Sequence, residues 1–411
     1  MFRIPVRLLD ARMEACEMSV TGVRCITCKA HYESTSTILT CPKCGGILDI
    51  EYDLARIPAT FTKESLKTGV RSVWRYGGLL PVTRPDCVVS LGEGVTPVMR
   101  ASNYANAVGI SNFTLKLDYL NPTGSFKDRG TTVTVSKLKE WGITSAMDDS
   151  SGNAGVSLAA YCANASIECT LYVPASVPAE KLIQAQIYGA KIEQVQGSRT
   201  EVARAAVTRS KTSSAPYYAS HNLSPYFFEG MKTLAFEVAE MLSWEMPDHM
   251  IFPVGGGTLI AGAWKGFEEL MQLGWIHETP KLHCAQSEAC MPIVKAYRDG
   301  SMHVEQVSEG ETIAGGIRIS NPARGIQVLQ ALRASKGAAV GVSDTGILKH
   351  QRLLARKEGI FAEPTSCAAL AALETLLDDG TIHRGESVLI PLTGFGLKDT
   401  KNATRSLELG N

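Results

Sequence analysis

The sequence predicts an α/β protein with mostly parallel sheets and a small cysteine-rich segment near its N-terminus. Apolar strand-like runs alternate with helical runs over most of the 411 residues. This alternation is typical of parallel sheets that carry helices on both faces. The strand-like runs contain few alternating polar residues, as expected of strands that are buried on both sides. The cysteine-rich segment lies outside this pattern and calls for a separate interpretation.

The N-terminal segment, residues 1–60, resembles a zinc ribbon. Its residues 20–52 combine short β-type runs with turn residues. Two Cys-x2-Cys pairs lie twelve residues apart, and together they contain Cys25, Cys28, Cys41 and Cys44. Two such pairs are a strong signature of a four-thiolate zinc site. Four thiolates leave no open position for catalysis, so we expect a structural zinc ion. The alternative is a degenerate ribbon that kept its cysteines and binds no metal.

The remaining chain, residues 61–411, carries the repeated pattern of strands and helices. The predicted strands are FTLKLDYL, ECTLYVPA, HMIFPVGG, LHCAQS and SVLIPLTG. The predicted helices include GVSLAAYCANA, PAEKLIQAQIYGA, GMKTLAFEVAEMLS and SCAALAALETLL. In parallel sheets of this kind, ligands bind at the carboxyl ends of the strands, where glycine-rich loops lead into helices. The loops after the predicted strands are therefore the candidate sites.

Composition excludes several classes of partner. Lys plus Arg and Asp plus Glu each total 41, so the formal net charge is zero. A protein that binds nucleic acid or an anionic membrane would carry an excess of basic residues. The N-terminus lacks the basic and then apolar pattern of a signal peptide. The apolar stretches are broken by glycine and too short to span a bilayer. Scattered cysteines suit a reducing compartment, so we expect a cytoplasmic protein.

Four segments combine glycine with small polar residues at the expected junctions. They are NPTGSFKDRG (121–130), DDSSGNAGVSLAAY (148–161), PVGGGTLIAG (253–262) and PLTGFGLKD (391–399). Free amides at the start of a helix suit an anion, and three glycines can form an amide-lined loop for a phosphate. Taken singly, each segment has an ordinary interpretation as a turn, a capped helix start or a solvated lysine. PVGGGT does not fit the G-x-G-x-x-G pattern, which counts against a nicotinamide site.

Taken together, these segments resemble the fold-type II pyridoxal phosphate (PLP) enzymes of the tryptophan synthase beta superfamily, and within them the threonine synthase group. The resemblance extends from about residue 70 to residue 400. It rests on motifs in matching order: RSVWRYGGLLPV, SLGEGVTPV, NPTGSFKDRG, SSGNAG, EGMKTLAFE, TIAGGIRISNP, EGIFAEPTSCAALAAL and LTGFGLKD. It implies two doubly wound parallel-sheet domains. A smaller one at about 121–225 would be inserted in a larger one formed by 61–120 and 226–411.

The resemblance also implies a role for individual residues. Lys127 would form the Schiff base with PLP, a role that needs a partly desolvated, neutral amine. Asn153 would bind the phenolic oxygen of the cofactor, and Thr393 would face its pyridine nitrogen. A hydroxyl does not stabilise a protonated pyridine, which favours elimination and replacement over transamination. The cofactor phosphate would bind Gly255, Gly256, Gly257 and Thr258. The substrate would bind Ser150, Ser151, Gly152 and Ala154.

Three positions depart from the threonine synthase pattern in the region that should bind a substrate phosphate. Ala154 lacks the hydroxyl of the family's S-T-G-N-T loop. Phe227 replaces the arginine of P-H-R-L-E-G, and Phe395 replaces the histidine of T-G-H-G-L-K. An arginine–phosphate pair is charge-assisted and often bidentate, so its loss weakens phosphate binding unless another cation takes over. Lys116, on the strand that leads into the lysine turn, is the first candidate, and Arg318 is another.

The leading hypothesis is a PLP-dependent lyase that acts on an amino acid with a β or γ leaving group. The resemblance implies threonine synthase activity, in which O-phospho-L-homoserine and water give L-threonine and phosphate. The alternative is β-elimination or β-replacement of the serine/threonine dehydratase or cysteate synthase type. A zinc-ribbon binding module fused to an inactive fold is a third hypothesis, but the intact cofactor segments weigh against it. The expected partners are a small amino-acid substrate and a second copy of the chain in a homodimer.

Overall fold

The computed structural model describes residues 19–57, 59–402 and 404. The chain divides into two compact units. The first unit contains the described residues up to Val95, Asn121–Thr123 and Lys127–Thr233. The second unit contains Thr96–Leu120, Gly124–Phe126 and the described residues from Leu234 onward. Residues 61–95 lie in the first unit. The domain boundaries that the resemblance implies stay a prediction. In the part of the chain that the structure describes, no helix combines the length and the apolar character needed to cross a membrane.

The strands are numbered in chain order. They are β1 (Val20–Cys25), β2 (His31–Tyr32), β3 (Leu48–Tyr52), β4 (Val98–Arg100), β5 (Asn112–Lys116), β6 (Ser145–Asp148), β7 (Glu168–Pro174), β8 (Lys191–Val195), β9 (Tyr217–Tyr218), β10 (His249–Pro253), β11 (Lys281–Ser287), β12 (Ala339–Val342) and β13 (Ser387–Pro391).

The α-helices are numbered in the same way. They are α1 (Lys63–Lys67), α2 (Ser102–Val108), α3 (Asp128–Glu140), α4 (Asn153–Ala165), α5 (Ile183–Ile187), α6 (Arg199–Ser210), α7 (Pro225–Met231), α8 (Thr233–Met241), α9 (Thr258–Gln272), α10 (Pro292–Arg298), α11 (Gly325–Ala334), α12 (Asp344–Glu358) and α13 (Pro364–Asp378).

The N-terminal segment of the first unit folds as an antiparallel three-stranded sheet with the order β2-β1-β3. Its buried residues share one apolar cluster with Trp74, with Val133 of α3 and with Tyr226 of α7. The indole Nε1 of Trp74 donates to Thr132 Oγ1 at 2.9 Å. This packing explains why the residues around Trp74 belong to the first unit.

The first unit also contains a four-stranded parallel sheet with the order β8-β7-β6-β9. Helix α4 consists largely of small residues and is buried from Ala154 to Cys162. Burial alternates along β7, because alternate side chains of this strand reach the core. The uninterrupted burial that the sequence suggested for this strand is therefore not observed.

The second unit contains a six-stranded sheet with the order β12-β11-β10-β13-β5-β4. All of its strand pairs are parallel except β4 with β5, which are antiparallel. Every residue of β10 is buried, and α13 contributes most of its residues to the core beside the sheet. Strands β10, β13 and β5 are neighbours, so their carboxyl ends lie at the same edge. The predicted α/β class with parallel sheets is confirmed.

Two predicted helices are shorter than the sequence suggested. The run PAEKLIQAQIYGA forms a 3₁₀ turn at Ala179–Lys181 and then α5, which is followed by Gly189 in the left-handed region at φ +88°. The run GMKTLAFEVAEMLS is divided between α7 and α8. At this break the Thr233 hydroxyl donates to the Gly230 carbonyl at 2.7 Å and accepts from Arg129 at 3.1 Å.

Candidate active site

Lys127 lies at the start of α3, directly after a tight turn that is held by side-chain hydrogen bonds. The Asp128 carboxylate accepts from the Thr123 amide at 2.7 Å and from the Thr123 hydroxyl at 2.6 Å. It also accepts from the Ser157 hydroxyl of α4 at 2.6 Å. Gly124 has φ +84°, a left-handed conformation that favours glycine. These contacts fix the backbone on either side of the half-buried Lys127.

Two glycines allow the helix of Lys127 to approach the helix of Phe227 closely. A Cβ atom on Gly130 would lie 2.6 Å from the Phe227 carbonyl oxygen, and one on Gly230 would collide with the Arg129 carbonyl. As a result the Lys127 Nζ lies 5.6 Å from the centre of the Phe227 ring. This distance is within the range of a cation–π contact. The position where the family has arginine thus presents an aromatic face to the lysine.

The SSGNA segment forms the connection between β6 and α4, as the sequence predicts. Ser150, Ser151 and Gly152 make up the loop, and Asn153 and Ala154 begin the helix. The Gly152 amide donates to Ser150 Oγ at 3.3 Å. α4 starts without a side-chain cap, so amides of its first turn are candidates to bind a carboxylate. This geometry suits the predicted substrate-binding role, which stays a prediction.

Three titratable side chains in the first unit were missed by sequence reasoning. His221 Nδ1 lies 2.9 Å from Asp148 Oδ2, and the Tyr218 hydroxyl donates to Asp149 Oδ1 at 2.9 Å. Burial raises the pKa of Asp148 to about 6, although the nearby charge of Lys127 opposes the increase. Burial, followed by the charge of Asp148, raises the pKa of Asp149 to about 6. The sequence signal was the acidic pair that opens the segment DDSSGNAGVSLAAY.

The glycine loop of the second unit connects β10 to α9. Nearby atoms leave no room for a Cβ at two of its glycines. A Cβ atom on Gly255 would lie 2.8 Å from the Gly316 carbonyl oxygen, and one on Gly257 would lie 2.7 Å from Val328 Cγ2. Gly257 has φ +92°, and the Gly256 carbonyl accepts from the Arg324 amide at 3.2 Å. α9 therefore begins in a compact loop of small residues, a suitable setting for a phosphate.

Thr393 follows β13 and is held by Ser366, another residue that sequence reasoning did not single out. Ser366 Oγ accepts from the amides of Thr393 and Gly394 at 2.9 and 3.0 Å, and it lies 2.9 Å from Thr393 Oγ1. With both of these amides donating to it, the Ser366 hydroxyl can donate its proton to Thr393 Oγ1. The Thr393 hydroxyl then keeps its own proton for an external acceptor. This orientation matches the predicted contact with a pyridine nitrogen.

The end of β13 also pairs with the segment that precedes Lys127. The Phe126 amide donates to the Thr393 carbonyl, and the Phe395 amide donates to the Gly124 carbonyl, each at 3.0 Å. Ser125 Oγ is buried and has no hydrogen-bond partner among the described residues. An unsatisfied buried hydroxyl at this position is consistent with a missing polar ligand. The Phe395 ring stacks on Tyr119 with 5.6 Å between the ring centres.

Lys116 is not placed as its predicted role requires. Its side chain is fully buried, and Nζ lies 2.7 Å from Glu237 Oε2 and 2.6 Å from Thr96 Oγ1. A substrate phosphate would have to compete with a carboxylate that already neutralises the ammonium group. This geometry weighs against Lys116 as the substrate cation. The other candidate, Arg318, is half-buried and follows residues that contact the glycine loop.

The four clustered cysteines have the geometry of a metal site. Cys25 Sγ lies 3.5 Å from Cys44 Sγ, and Cys28 Sγ lies 3.6 Å from Cys41 Sγ. All four sulfur atoms lie within 4.8 Å of one another. Tetrahedral zinc with Zn–S bonds of about 2.3 Å separates its ligands by about 3.8 Å. The cluster therefore fits a zinc ion without rearrangement of the fold.

Comparison with known proteins identifies the family. The model of the pyridoxal-phosphate dependent enzymes matches residues 89–394, and the chain belongs to this family. A threonine synthase from Methanocaldococcus jannaschii is 41% identical over 386 residues, which are 94% of this chain and 95% of that protein. A threonine synthase from Methanosarcina acetivorans is 40% identical and covers 92% of each chain. The protein is thus a PLP-dependent enzyme and has threonine synthases among its relatives.

Solved structures support the same fold. The processed form of threonine deaminase isoform 2 from Solanum lycopersicum aligns with a TM-score of 0.66 at 18% identity, over 77% of this chain and 84% of that chain. Maize serine racemase aligns with a TM-score of 0.64 at 21% identity, over 76% of this chain and 91% of that chain. At these identities the likeness concerns the fold alone.

Proposed function

We propose that the protein is a threonine synthase, which converts O-phospho-L-homoserine and water to L-threonine and phosphate. The observation that carries this proposal is the identity of 41% and 40% to two threonine synthases over more than nine tenths of each chain. Similarity over the whole length favours a shared reaction more strongly than a shared fold does.

The candidate residues fit PLP. When bound, PLP supplies an electron-withdrawing ring that stabilises negative charge on the substrate carbons. Lys127 would hold the cofactor covalently, and Asn153 would bind its phenolic oxygen. The loop Gly255–Thr258 would bind the phosphate through its amides, and the Thr393 hydroxyl would donate to the ring nitrogen. Three observations support this assignment: the lack of room for a Cβ at Gly255 and Gly257, the orientation of Thr393, and the buried Ser125 hydroxyl, for which the described residues supply no hydrogen-bond partner.

The side chains around Lys127 suit removal of the substrate Cα proton. The turn fixed by Asp128 holds the lysine backbone, and the Phe227 ring centre lies 5.6 Å from the amine. The first turn of α4 would bind the substrate carboxylate through its amides, so that the Cα–H bond points to Lys127. In this arrangement the lysine moves the proton, and the helix start orients the substrate.

The substrate phosphate requires a cation, and we propose Arg318 for this role in place of Lys116. Gly316, Ile317 and Ile319, which flank Arg318 in the sequence, all lie against Gly255. Arg318→Gln should raise the KM for O-phospho-L-homoserine by about tenfold to a hundredfold, since a charge-assisted pair is lost. Arg318→Lys is the control and should retain part of the affinity. Lys116→Met should instead reduce stability, because it removes the ammonium group that lies 2.7 Å from the buried Glu237 carboxylate.

A second function is favoured by the surroundings of Lys127. Phe227 lies against the lysine, and the Asp148 carboxylate, which interacts with the charge of Lys127, would repel a phosphate. A β-elimination enzyme of the serine/threonine dehydratase type would need no binding site for a leaving phosphate. This alternative predicts a 2-oxo acid and ammonia as products.

One experiment separates the two functions. The PLP-loaded enzyme is incubated in parallel with O-phospho-L-homoserine, L-serine and L-threonine, and phosphate, new amino acids and 2-oxo acids are measured. Release of phosphate with equal formation of threonine supports the synthase. Formation of 2-oxo acid from serine or threonine, without phosphate release from O-phospho-L-homoserine, replaces the synthase with the dehydratase-type function.

We further propose that Cys25, Cys28, Cys41 and Cys44 bind one structural zinc ion, which the sulfur separations support. Metal analysis of protein purified without chelator should give about one equivalent per chain. Cys28→Ser should reduce the zinc content and lower the melting temperature, whereas Cys87→Ser, outside the cluster, should leave the zinc content unchanged. Metal-free protein with unaltered stability would contradict the proposal.

A further inference from the structure

The Asp148, Asp149 and His221 side chains form a cluster in the first unit. One oxygen from each carboxylate and one His221 ring nitrogen all lie within 4.8 Å of one another. The acidic residues lie at the end of β6, and His221 follows β9, which pairs with β6 in parallel. Parallel pairing places both strand ends at the same edge of the sheet. The three side chains therefore converge from two strands, and none of them belongs to the proposed cofactor or substrate contacts.

The two carboxylates of this cluster receive few polar contacts. Asp148 Oδ2 lies 2.9 Å from His221 Nδ1, and Asp149 Oδ1 accepts from the Tyr218 hydroxyl at 2.9 Å. Asp148 is 1% exposed, and its other oxygen, Oδ1, is buried and has no hydrogen-bond partner among the described residues. No lysine or arginine that the structure describes forms an ion pair with either carboxylate. Buried carboxylates are normally paired with a cation or coordinate a metal ion.

The ionisation states of the three groups suit a metal ion. Burial lowers the pKa of His221 to about 3, so the imidazole is neutral at neutral pH and does not compensate the negative charge. Burial raises the pKa of Asp148 and that of Asp149 to about 6, and the charge of Asp148 adds to the increase at Asp149. Above about pH 7 both carboxyl groups are mostly ionised and repel each other. Ionised carboxylates and a neutral imidazole are the forms that bind a metal ion.

The separations within the cluster fit an octahedral ion. Ligands at about 2.1 Å from such an ion lie about 3.0 Å apart when they are neighbours and about 4.2 Å apart when they are opposite. The 2.9 Å between Asp148 Oδ2 and His221 Nδ1 matches a pair of neighbouring ligands. The ion would replace the proton between these two atoms, so that Nδ1 presents its lone pair. The Tyr218 hydroxyl, which donates to Asp149, would orient that ligand.

We propose that Asp148, Asp149 and His221 bind one divalent cation, and that Mn²⁺ suits this set of ligands best. Carboxylate oxygens suit Mg²⁺, Ca²⁺ and Mn²⁺, whereas imidazole suits transition metals, and Mn²⁺ belongs to both groups. The four clustered cysteines differ from this site, because thiolates select softer ions such as zinc. A bound dication would cancel the charge of the two carboxylates. Asp148, whose carboxylate interacts with the charge of Lys127, would then no longer repel a substrate phosphate.

The first test measures metal binding and needs no substrate. The full-length, PLP-loaded protein, purified without chelator, is titrated with Mn²⁺, and free Mn²⁺ is followed by electron paramagnetic resonance (EPR). We expect about one equivalent per chain. Asp149→Asn should weaken binding by at least about tenfold, because a charged ligand is lost. The matched control is Glu168→Gln, which removes an exposed carboxylate outside the cluster and should bind Mn²⁺ as the wild type does.

Two results of this titration would overturn the proposal. One is a wild-type protein that takes up no Mn²⁺, and the other is equal affinity in the wild type and in Asp149→Asn. Either result would leave the proposed reaction untouched, because its products are measured separately with the substrate panel.

The second test identifies the imidazole ligand. Pulsed EPR of the Mn²⁺-loaded protein should show the coupling of the metal to a ring nitrogen. This coupling should disappear in His221→Asn and persist in the control His303→Asn, which changes an exposed histidine outside the cluster. Wild-type protein without a nitrogen coupling, or a coupling that persists in His221→Asn, would contradict the assignment of the ligands.

A third test does not require the loss of a ligand, and it also checks the folding of the variants. Tyr218→Phe keeps all three proposed ligands and removes only the hydroxyl that orients Asp149, so the Kd for Mn²⁺ should rise by about tenfold. A ligand that binds only the folded state raises the melting temperature. Mn²⁺ should therefore raise the melting temperature of the wild type and of Glu168→Gln but not that of Asp149→Asn. An equal increase in all three proteins would refute the site.

Discussion

The loops of the second unit and the surroundings of Lys127 in the first unit offer different kinds of chemical groups to a ligand. At the ends of β10 and β13, the groups are backbone amides and one oriented hydroxyl, and glycines are required because other atoms lie too close for a Cβ. Around Lys127, the groups are charged and aromatic side chains from different strands and helices. Backbone groups suit a cofactor that stays the same. The side chains around Lys127 can instead differ between enzymes that act on different substrates. Substitutions in each region can test this difference.

The largest effect is expected for Lys127. Lys127→Ala should abolish turnover, because the chain loses both the covalent attachment of PLP and the base that removes the substrate proton. Borohydride reduction of wild-type protein, followed by peptide mapping, should place the pyridoxyl label on this residue. The control is Lys139→Ala on the exposed part of the same helix, which should keep both label and activity. A label on a different lysine would refute the assignment.

The next largest effect is expected for the glycine loop. Gly257→Ala should weaken PLP binding by at least tenfold, because the new Cβ would meet Val328 at 2.7 Å and the backbone has φ +92°. Gly274→Ala is a matched control, since it has φ +66° and no atom lies within 4 Å of its Cβ position. Equilibrium titration with PLP compares the two variants. Equal affinities would mean that the loop does not bind the cofactor.

A smaller effect is expected for Ser366. Ser366→Ala leaves the amides of Thr393 and Gly394 without their acceptor and should cost about 1–3 kcal/mol of unfolding free energy. PLP affinity should also decrease, because the Thr393 hydroxyl loses its orientation. Ser366→Thr keeps the hydroxyl and is the control for the hydrogen bonds. Chemical denaturation and PLP titration measure both consequences, and an unchanged PLP affinity would argue against the role of Thr393.

The smallest effect concerns pH. The folded pKa of Asp149, about 6, lies above the usual value of 3.8, so the folded state binds more protons between these two pH values. The contribution of this group to stability therefore decreases as pH rises from about 4 to about 6. Relative to wild type, Asp149→Asn should gain on the order of 2 kcal/mol over this interval. Denaturation at pH 4 and pH 7 tests the sign, and a constant difference would contradict it.

The same contrast explains how much the sequence could predict. The loop Gly255–Thr258 and Thr393 follow buried strands, so local pattern and strand order were sufficient to place them. Lys127 could be proposed as the cofactor lysine because its turn is a contiguous motif, and this role stays a prediction. The contact between Asp148 and His221 depends on the parallel pairing of β6 with a strand of two residues, and such pairing leaves no local signal. The sequence suggested Lys116 as a substrate cation, because it does not reveal the buried contact between Lys116 and Glu237. That contact depends on the tertiary structure.

The N-terminal sheet shares its apolar core with the helices that carry the candidate site. Cys25 and Cys41 lie in the same buried cluster as Val133, six positions after Lys127, and Tyr226, the neighbour of Phe227. A metal ion held by these cysteines would therefore brace the helices that present both residues, although it would touch no reactant. Zinc depletion would then slow the enzyme, because the helices that present Lys127 and Phe227 would be held less firmly.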